Sequence, residues 1–200
     1  MLRSSLFVSA CLLAAPRAAA QPQDFTSCAP LVSDTCVPGV GGIGPCPCLN
    51  PQVPALSVKG CDNSSATGGA NLSSTGAASI GSDTLVFTCT GEKPTAASIL
   101  MQGTVFLPPP GVIFGQGVRC CGGNLKRLYV HSAVGGTVSF GHLIGSDMDV
   151  HLKSAALGDP LAACVRRCYQ VYYRDPIVLG GCPASATFNI SQAQDVTWGR

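Results

Sequence analysis

The sequence predicts an all-β chain: an antiparallel β-sandwich of immunoglobulin-like size behind a disulfide-stapled, Pro/Gly/Cys-rich N-terminal arm. Three observations predict it. From Asp83 onward, short runs of β-branched and aromatic residues recur, separated by Gly, Pro, Asn and Asp. Residues 21–60 concentrate Pro, Gly and Cys and keep neither a helical nor a sustained alternating period. Twelve cysteines among 200 residues, with only 11% charged side chains, suit an exported scaffold better than a cytosolic enzyme.

The N-terminus begins Met1-Leu2-Arg3, continues through an apolar run from Leu6 to Ala15, and reaches Ala18-Ala19-Ala20 before Gln21. This is the layout of a secretory signal peptide, so residues 1–20 are expected to be removed and the protein to be extracellular. Val8-Ser9-Ala10-Cys11 has the residue order of a lipoprotein signal, but too few apolar residues precede Cys11 to form a hydrophobic region. Losing Arg3 and Arg17 leaves ten basic side chains against ten acidic ones. A net charge of zero removes the electrostatic motive for nucleic acid and leaves little repulsion between copies. No later run approaches the length of a membrane span.

The arm, residues 21–60, is most extreme from Cys36 to Cys48, where Gly and Pro fill nearly every place between the cysteines. Residues 61–200 form the sandwich. Its first part, Ser64–Ile80, is an uncharged Gly/Ser/Ala/Thr stretch that reads as extended chain or a weak edge strand. Strands are expected at Thr84–Thr88, Ser98–Gln102, Val112–Phe114, Arg127–His131, Thr137–Phe140, Met148–Lys153, Tyr169–Tyr173, Ala186–Ile190 and Val196–Trp198. Only Ala155–Arg167 could hold a helix, and Gly158-Asp159-Pro160 interrupts it. No internal repeat is visible.

The mature chain keeps Cys28, Cys36, Cys46, Cys48, Cys61, Cys89, Cys120, Cys121, Cys164, Cys168 and Cys182. In an oxidising compartment these are disulfide candidates, and their odd number leaves one thiol free or linked to another chain. Cys46 and Cys48, like the adjacent Cys120 and Cys121, should bond outward to separate partners, because direct pairing would strain a very small ring. The spacings do not form the two knuckles of a zinc site.

Catalytic signatures are missing: there is no nucleophile elbow, zinc-protease helix, Walker loop or dinucleotide fingerprint. Glu92, the only glutamate, reads as part of a solvated Gly-Glu-Lys-Pro turn. Asp147, Asp149 and His151 would share one face of a strand and are the candidates for a divalent cation. Same-face neighbours nearly 7 Å apart cannot all reach one ion without a bulge, so no metal or other cofactor is expected. Asn63, Asn71 and Asn189 occupy N-x-Ser sequons, which the sequence places at the surface as glycan acceptors. In Tyr169–Arg174, alternation sends Tyr169, Val171 and Tyr173 one way and Gln170, Tyr172 and Arg174 the other. Tyr172 with Arg174 is therefore the candidate face for binding sugar or protein.

Several blocks also carry a resemblance: Cys46-Pro-Cys48 with Asn50, Gly60-Cys-Asp-Asn-Ser-Ser-Ala-Thr-Gly-Gly-Ala70, Gly91-Glu-Lys-Pro-Thr95, Gly117-Val-Arg-Cys120, Leu125-Lys-Arg-Leu-Tyr129, Ser154-Ala-Ala-Leu-Gly-Asp-Pro160, Tyr169-Gln-Val-Tyr-Tyr-Arg-Asp-Pro176 and Phe188-Asn-Ile-Ser191. Together, over about Cys46–Trp198, they resemble a functionally uncharacterised family of secreted bacterial proteins and C-terminal modules. The resemblance implies an extracellular location and brings no catalytic residues. It further implies that Cys89, Cys121, Cys164 and Cys168 are additions to an older set of Cys46, Cys48, Cys61, Cys120 and Cys182 with a partner from Cys28 or Cys36. Five intrachain disulfides are expected, with Cys120 bridging toward Cys182 and the Cys46/Cys48 pair tied to other cysteines of the arm and to Cys61.

The functional expectation is a non-catalytic secreted structural or surface-assembly protein whose partners are other copies, or cell-surface and matrix components. Linkage would come through strand addition by the arm or through the odd cysteine. The alternative is a carbohydrate- or matrix-binding module with glycans as partners.

Overall fold

The computed structural model describes residues 28–200; the expected signal peptide, residues 1–20, and residues 21–27 lie outside the described residues. The fold is all-β. Thirteen strands follow one another: β1 Leu31–Thr35, β2 Asn71–Thr75, β3 Val86–Thr90, β4 Ala97–Gly103, β5 Val105–Phe106, β6 Val112–Phe114, β7 Gly117–Arg119, β8 Cys121–Gly122, β9 Lys126–Ser132, β10 Val138–Gly141, then β11 Arg166–Arg174, β12 Phe188–Ile190 and β13 Ala193–Thr197. One short helix, α1 Val150–Ala156, lies between β10 and β11.

The larger sheet runs β1-β13-β11-β4-β9, with β12 sharing with β13 the same side of the long strand β11. Every pairing in it is antiparallel, with Tyr169 opposite Gln102 and Tyr173 opposite Ser98 across the β11–β4 pair. The smaller sheet is β10-β3-β2, so the Gly/Ser/Thr-rich stretch does supply an edge strand, β2. Two ribbons, β5–β8 and β6–β7, stand apart from both sheets.

The sheets face each other across one core. Leu72, Leu85, Phe87 and Phe140 come from the small-sheet side, and Leu100, Tyr169, Val171, Tyr173 and Trp198 from the large-sheet side. Phe87 meets Tyr169 with ring centroids 4.7 Å apart. One chain of polar groups inside this core is satisfied in sequence, as burial demands. The Trp198 indole N–H donates to the Tyr169 hydroxyl, which donates to Gln102 Oε1, and Gln102 Nε2 donates to Ser154 and Asp159. Asp159 in turn holds the Arg167 guanidinium, which keeps its carboxyl below the usual range.

Met148–Lys153 is a correction, since most of that segment is the start of α1 rather than a strand. The alternation of Asp147 to Leu152 suggests a period of two, but Val150 and Ser154, four apart, are the buried pair. The helix start is satisfied from across the chain, where Asp83 Oδ2 accepts the His151 backbone N–H at 2.8 Å. Such a tertiary cap replaces the local one that Asp149 does not make.

The five disulfides join Cys28–Cys164, Cys36–Cys120, Cys46–Cys61, Cys48–Cys182 and Cys121–Cys168. Cys120 thus bridges to Cys36 and not toward Cys182, which instead takes Cys48. The reason lies in Gln170: its Oε1 accepts both the Cys120 and Cys121 N–H groups. Its Nε2 donates to the Val118 and Ser191 carbonyls. One buried amide fixes the two adjacent cysteines on the outer face of β11, where Cys121 meets Cys168 of that strand and Cys120 meets the arm. The remaining candidate, Cys89, forms no disulfide and is fully buried in the core.

Residues 28–60 are part of the same body. Strand β1 pairs along its whole length with β13 of the same chain, Leu31 opposite Thr197 to Thr35 opposite Ala193. Gly60 passes so near Ile190 that a Cβ would lie 2.1 Å from its carbonyl oxygen, and only glycine permits that approach. Strand pairing thus joins the arm to the sandwich in addition to its disulfides.

Candidate functional site

The outer face of β11 carries the arrangement with the most chemical content. Beside the stapled cysteines, Met101 of β4, Phe114 of β6, Arg119 of β7, Leu125, Arg127 of β9 and Tyr172 of β11 line a recess of about 280 Å³. Phe114 stands edge-on to Tyr172 at 5.6 Å, and Phe188 packs 4.7 Å from Phe114 behind it. The Arg119 guanidinium carbon lies 5.2 Å from the Phe114 ring centre and that of Arg127 5.9 Å from the Tyr172 ring centre, within cation–π range.

Among the described residues, neither arginine takes part in an ion pair, whereas Arg166 and Arg167 are matched with Asp195 and Asp159. Arg119 Nε is buried without any hydrogen-bond acceptor. The recess thus combines two aromatic rings with two unmatched fixed positive charges. Arg174, the expected companion of Tyr172, is not in its lining; it is exposed and donates to Thr187 Oγ1 at 3.2 Å. The candidate face is corrected accordingly: Tyr172 belongs to it, Arg174 does not, and Arg119 and Arg127 take that place. Both were visible as a basic residue in each of two short β runs, Gly117-Val-Arg119 and Lys126-Arg127-Leu128, but nothing local shows that β7 and β9 converge on β11.

The expected row of Asp147, Asp149 and His151 is broken into three separate pairs. Asp147 bonds His131 Nε2 at 2.9 Å and accepts the Gly141 N–H, Asp149 bonds His142 Nδ1 at 2.7 Å, and His151 Nδ1 meets Asp83 Oδ2 at 3.0 Å. Because the chain turns into a helix at Val150, the three side chains do not share a face, and no group of three metal-ligand types forms among the described residues. Each pair has the acid–imidazole half of a hydrolytic triad. On the far ring nitrogen, however, none has a hydroxyl or thiol partner among the described residues.

Glu92 is another correction, being only 1% exposed rather than solvated. The Ser98 hydroxyl donates to its Oε2, Cys89 lies within hydrogen-bonding reach, and Oε1 has no partner. Burial pushes its pKa up to about 7, against the smaller lowering effects of Ser98 and Cys89. The same burial raises the Cys89 thiol, aided by the Glu92 charge, so Cys89 is neither a ready nucleophile nor a link between copies.

Two of the three sequons are inside the protein. Asn63 is 2% exposed, its Nδ2 committed to Thr67, the Gly91 carbonyl and the Tyr173 hydroxyl. Asn189 is fully buried and donates to the carbonyls of Cys61 and Asp62. Both amides act as internal struts, which corrects the expectation of surface acceptors. Asn71 alone is half-exposed, with its amide on the Val58 carbonyl.

No protein-family model matches the chain, and neither a curated protein nor a solved structure matches it.

Proposed function

We propose that the protein is a non-catalytic, secreted structural protein that serves outside the cell as a subunit of a surface or matrix assembly. The observation that carries this reading is the covalent layout. Four of the five disulfides span 47 or more residues, and three of these, Cys28–Cys164, Cys36–Cys120 and Cys48–Cys182, fasten the arm to the body. Bridges of this kind persist in oxidising surroundings and suit a protein that must endure there. Among the described residues no helix is long and apolar enough to cross a membrane.

Donation of the arm to a neighbour no longer supports the assembly, because β1 already completes its own sheet and the odd cysteine is buried. Association would instead use the two strands that end the larger sheet, β1 and β9. Each carries an outward apolar residue, Leu31 at 63% and Val130 at 64% exposure, and a sheet edge offers unpaired backbone groups to a second chain. Sedimentation of the mature protein over a concentration series tests this. Multimers that dissolve in the Leu31→Lys/Val130→Lys variant are expected; a monomer at every concentration, without filaments in negative stain, would overturn the reading.

The recess over Tyr172 favours a second reading, a carbohydrate- or matrix-binding module. It is compatible with the first, since a subunit of a matrix can also grip its surroundings.

A further inference from the structure

Two arginines without anionic partners stand on either side of one small aromatic recess. Among the described residues, the other cations in contact with carboxylates, Lys93, Arg166 and Arg167, serve the fold's own charges. Arg119 and Arg127 serve none. A guanidinium presents five N–H donors in a planar fork that matches a carboxylate, and a buried donor left without an acceptor is costly. Arg119 Nε is such a donor. An oxyanion entering the recess, which both side chains line, would meet two guanidinium charges that the fold leaves unmatched.

The rest of the lining sets the shape of what carries that oxyanion. Met101 is buried at 3% exposure, and Phe114, Tyr172 and Leu125 are half-buried apolar surfaces packed around it. A volume of about 280 Å³ sits at the lower end of ligand cavities, roughly 300 Å³, and admits one ring rather than an extended chain. Aromatic rings take the apolar face of a sugar or another flat ring, while neighbouring arginines take its charge.

We propose that the recess formed by Phe114, Arg119, Arg127 and Tyr172 binds a ring-shaped carboxylate, such as the terminal uronic acid of an extracellular polysaccharide. The proposal rests on the second reading above and adds the ligand class to it. Carboxylate and ring are the shared chemistry; an acidic sugar and an aromatic acid are its two sources.

Calorimetric titration of the mature protein with trigalacturonate, benzoate and neutral galactotriose distinguishes them. Binding of trigalacturonate but not of galactotriose is expected, weakening as salt is raised. Benzoate binding alone would keep the site and assign it to aromatic acids. Failure of both acids to bind, or equal binding of the neutral trisaccharide, would overturn the proposal. Arg127→Gln, on an exposed side chain, should fold normally and lose about tenfold or more in affinity, the equivalent of one lost charged contact. Arg174→Gln, outside the recess, should bind as the parent does; the opposite pattern would place the site elsewhere. Sedimentation of Arg127→Gln separates the two ideas, because loss of binding with unchanged multimers leaves the structural reading standing.

Discussion

The two faces of β11 are held by different forces. Toward the second sheet, Tyr169, Val171 and Tyr173 join a cluster of nineteen buried apolar residues whose members interlock across the sandwich. Toward the arm, Cys168 and its neighbours belong to a cluster of only eight, four of which, Cys36, Cys120, Cys121 and Cys168, are half-cystines. The first face is stable because apolar area is removed from water. The second has too little such area and is closed by covalent bonds and by the amide of Gln170. Where packing is sparse, a recess can persist, and that is the side on which Tyr172, Arg119 and Arg127 stand.

The first test cuts the covalent side. With the other four bridges intact, the Cys36 to Cys120 bridge closes a circuit of roughly 15 residues that runs through Cys28–Cys164 and Cys121–Cys168, for which loop-closure entropy gives a loss of about 3 kcal/mol on removal. Denaturant unfolding of the Cys36→Ala/Cys120→Ala variant checks the magnitude. Hydrogen exchange should show residues 105–122 opening while β3 and β4 stay protected. A loss below about 1 kcal/mol would mean that packing, not the bridge, holds this face.

Leu100→Ala attacks the other face and should cost about 3.5 kcal/mol, within the range for a fully buried leucine. Here protection should fall in the core strands. If the recess opened first instead, the two faces would not be separable.

The buried carboxyl of Glu92 makes the core side sensitive to pH. Its folded pKa, about 7, lies above the ordinary value of 4.5, so the fold binds this proton more tightly than the unfolded chain does. That contribution is fully present below about pH 4.5 and is lost as pH rises through 7, amounting to about 3 kcal/mol. Glu92→Gln keeps an oxygen to accept the Ser98 hydrogen bond and should flatten the curve and stabilise at pH 8. A thermal midpoint equally pH-dependent in that variant would remove Glu92 as the cause.

The smallest change concerns Cys89. In the chain without residues 1–20 a thiol reagent should find nothing until denaturant is added, and then a single thiol. Rapid labelling of the native protein would show that the core opens at β3.

Some of this was plain in the chain, and some was not. The alternation in Tyr169–Tyr173 places its core face without help, since Tyr169, Val171 and Tyr173 are the large apolar positions of a period of two even though Gln170 on the other face is buried as well. Asp147–His151 has the same alternation and becomes a loop and a helix. The cap that decides it, Asp83, lies 68 residues earlier and is invisible to any local period. Sequons such as Asn63-Ser-Ser65 and Asn189-Ile-Ser191 are short motifs that say nothing of burial, and here two of three are structural amides.

By itself the sequence determined an all-β chain rich in disulfides, because strand propensity, turn residues and cysteine content are local or compositional. Tertiary structure alone decided which cysteines pair, that the arm joins its own sheet, and that Arg119 and Arg127 meet at Tyr172. Those outcomes depend on which distant segments come to lie side by side, and the energies that select them, burial, backbone pairing and the satisfaction of Gln170, exist only once the chain is closed around them.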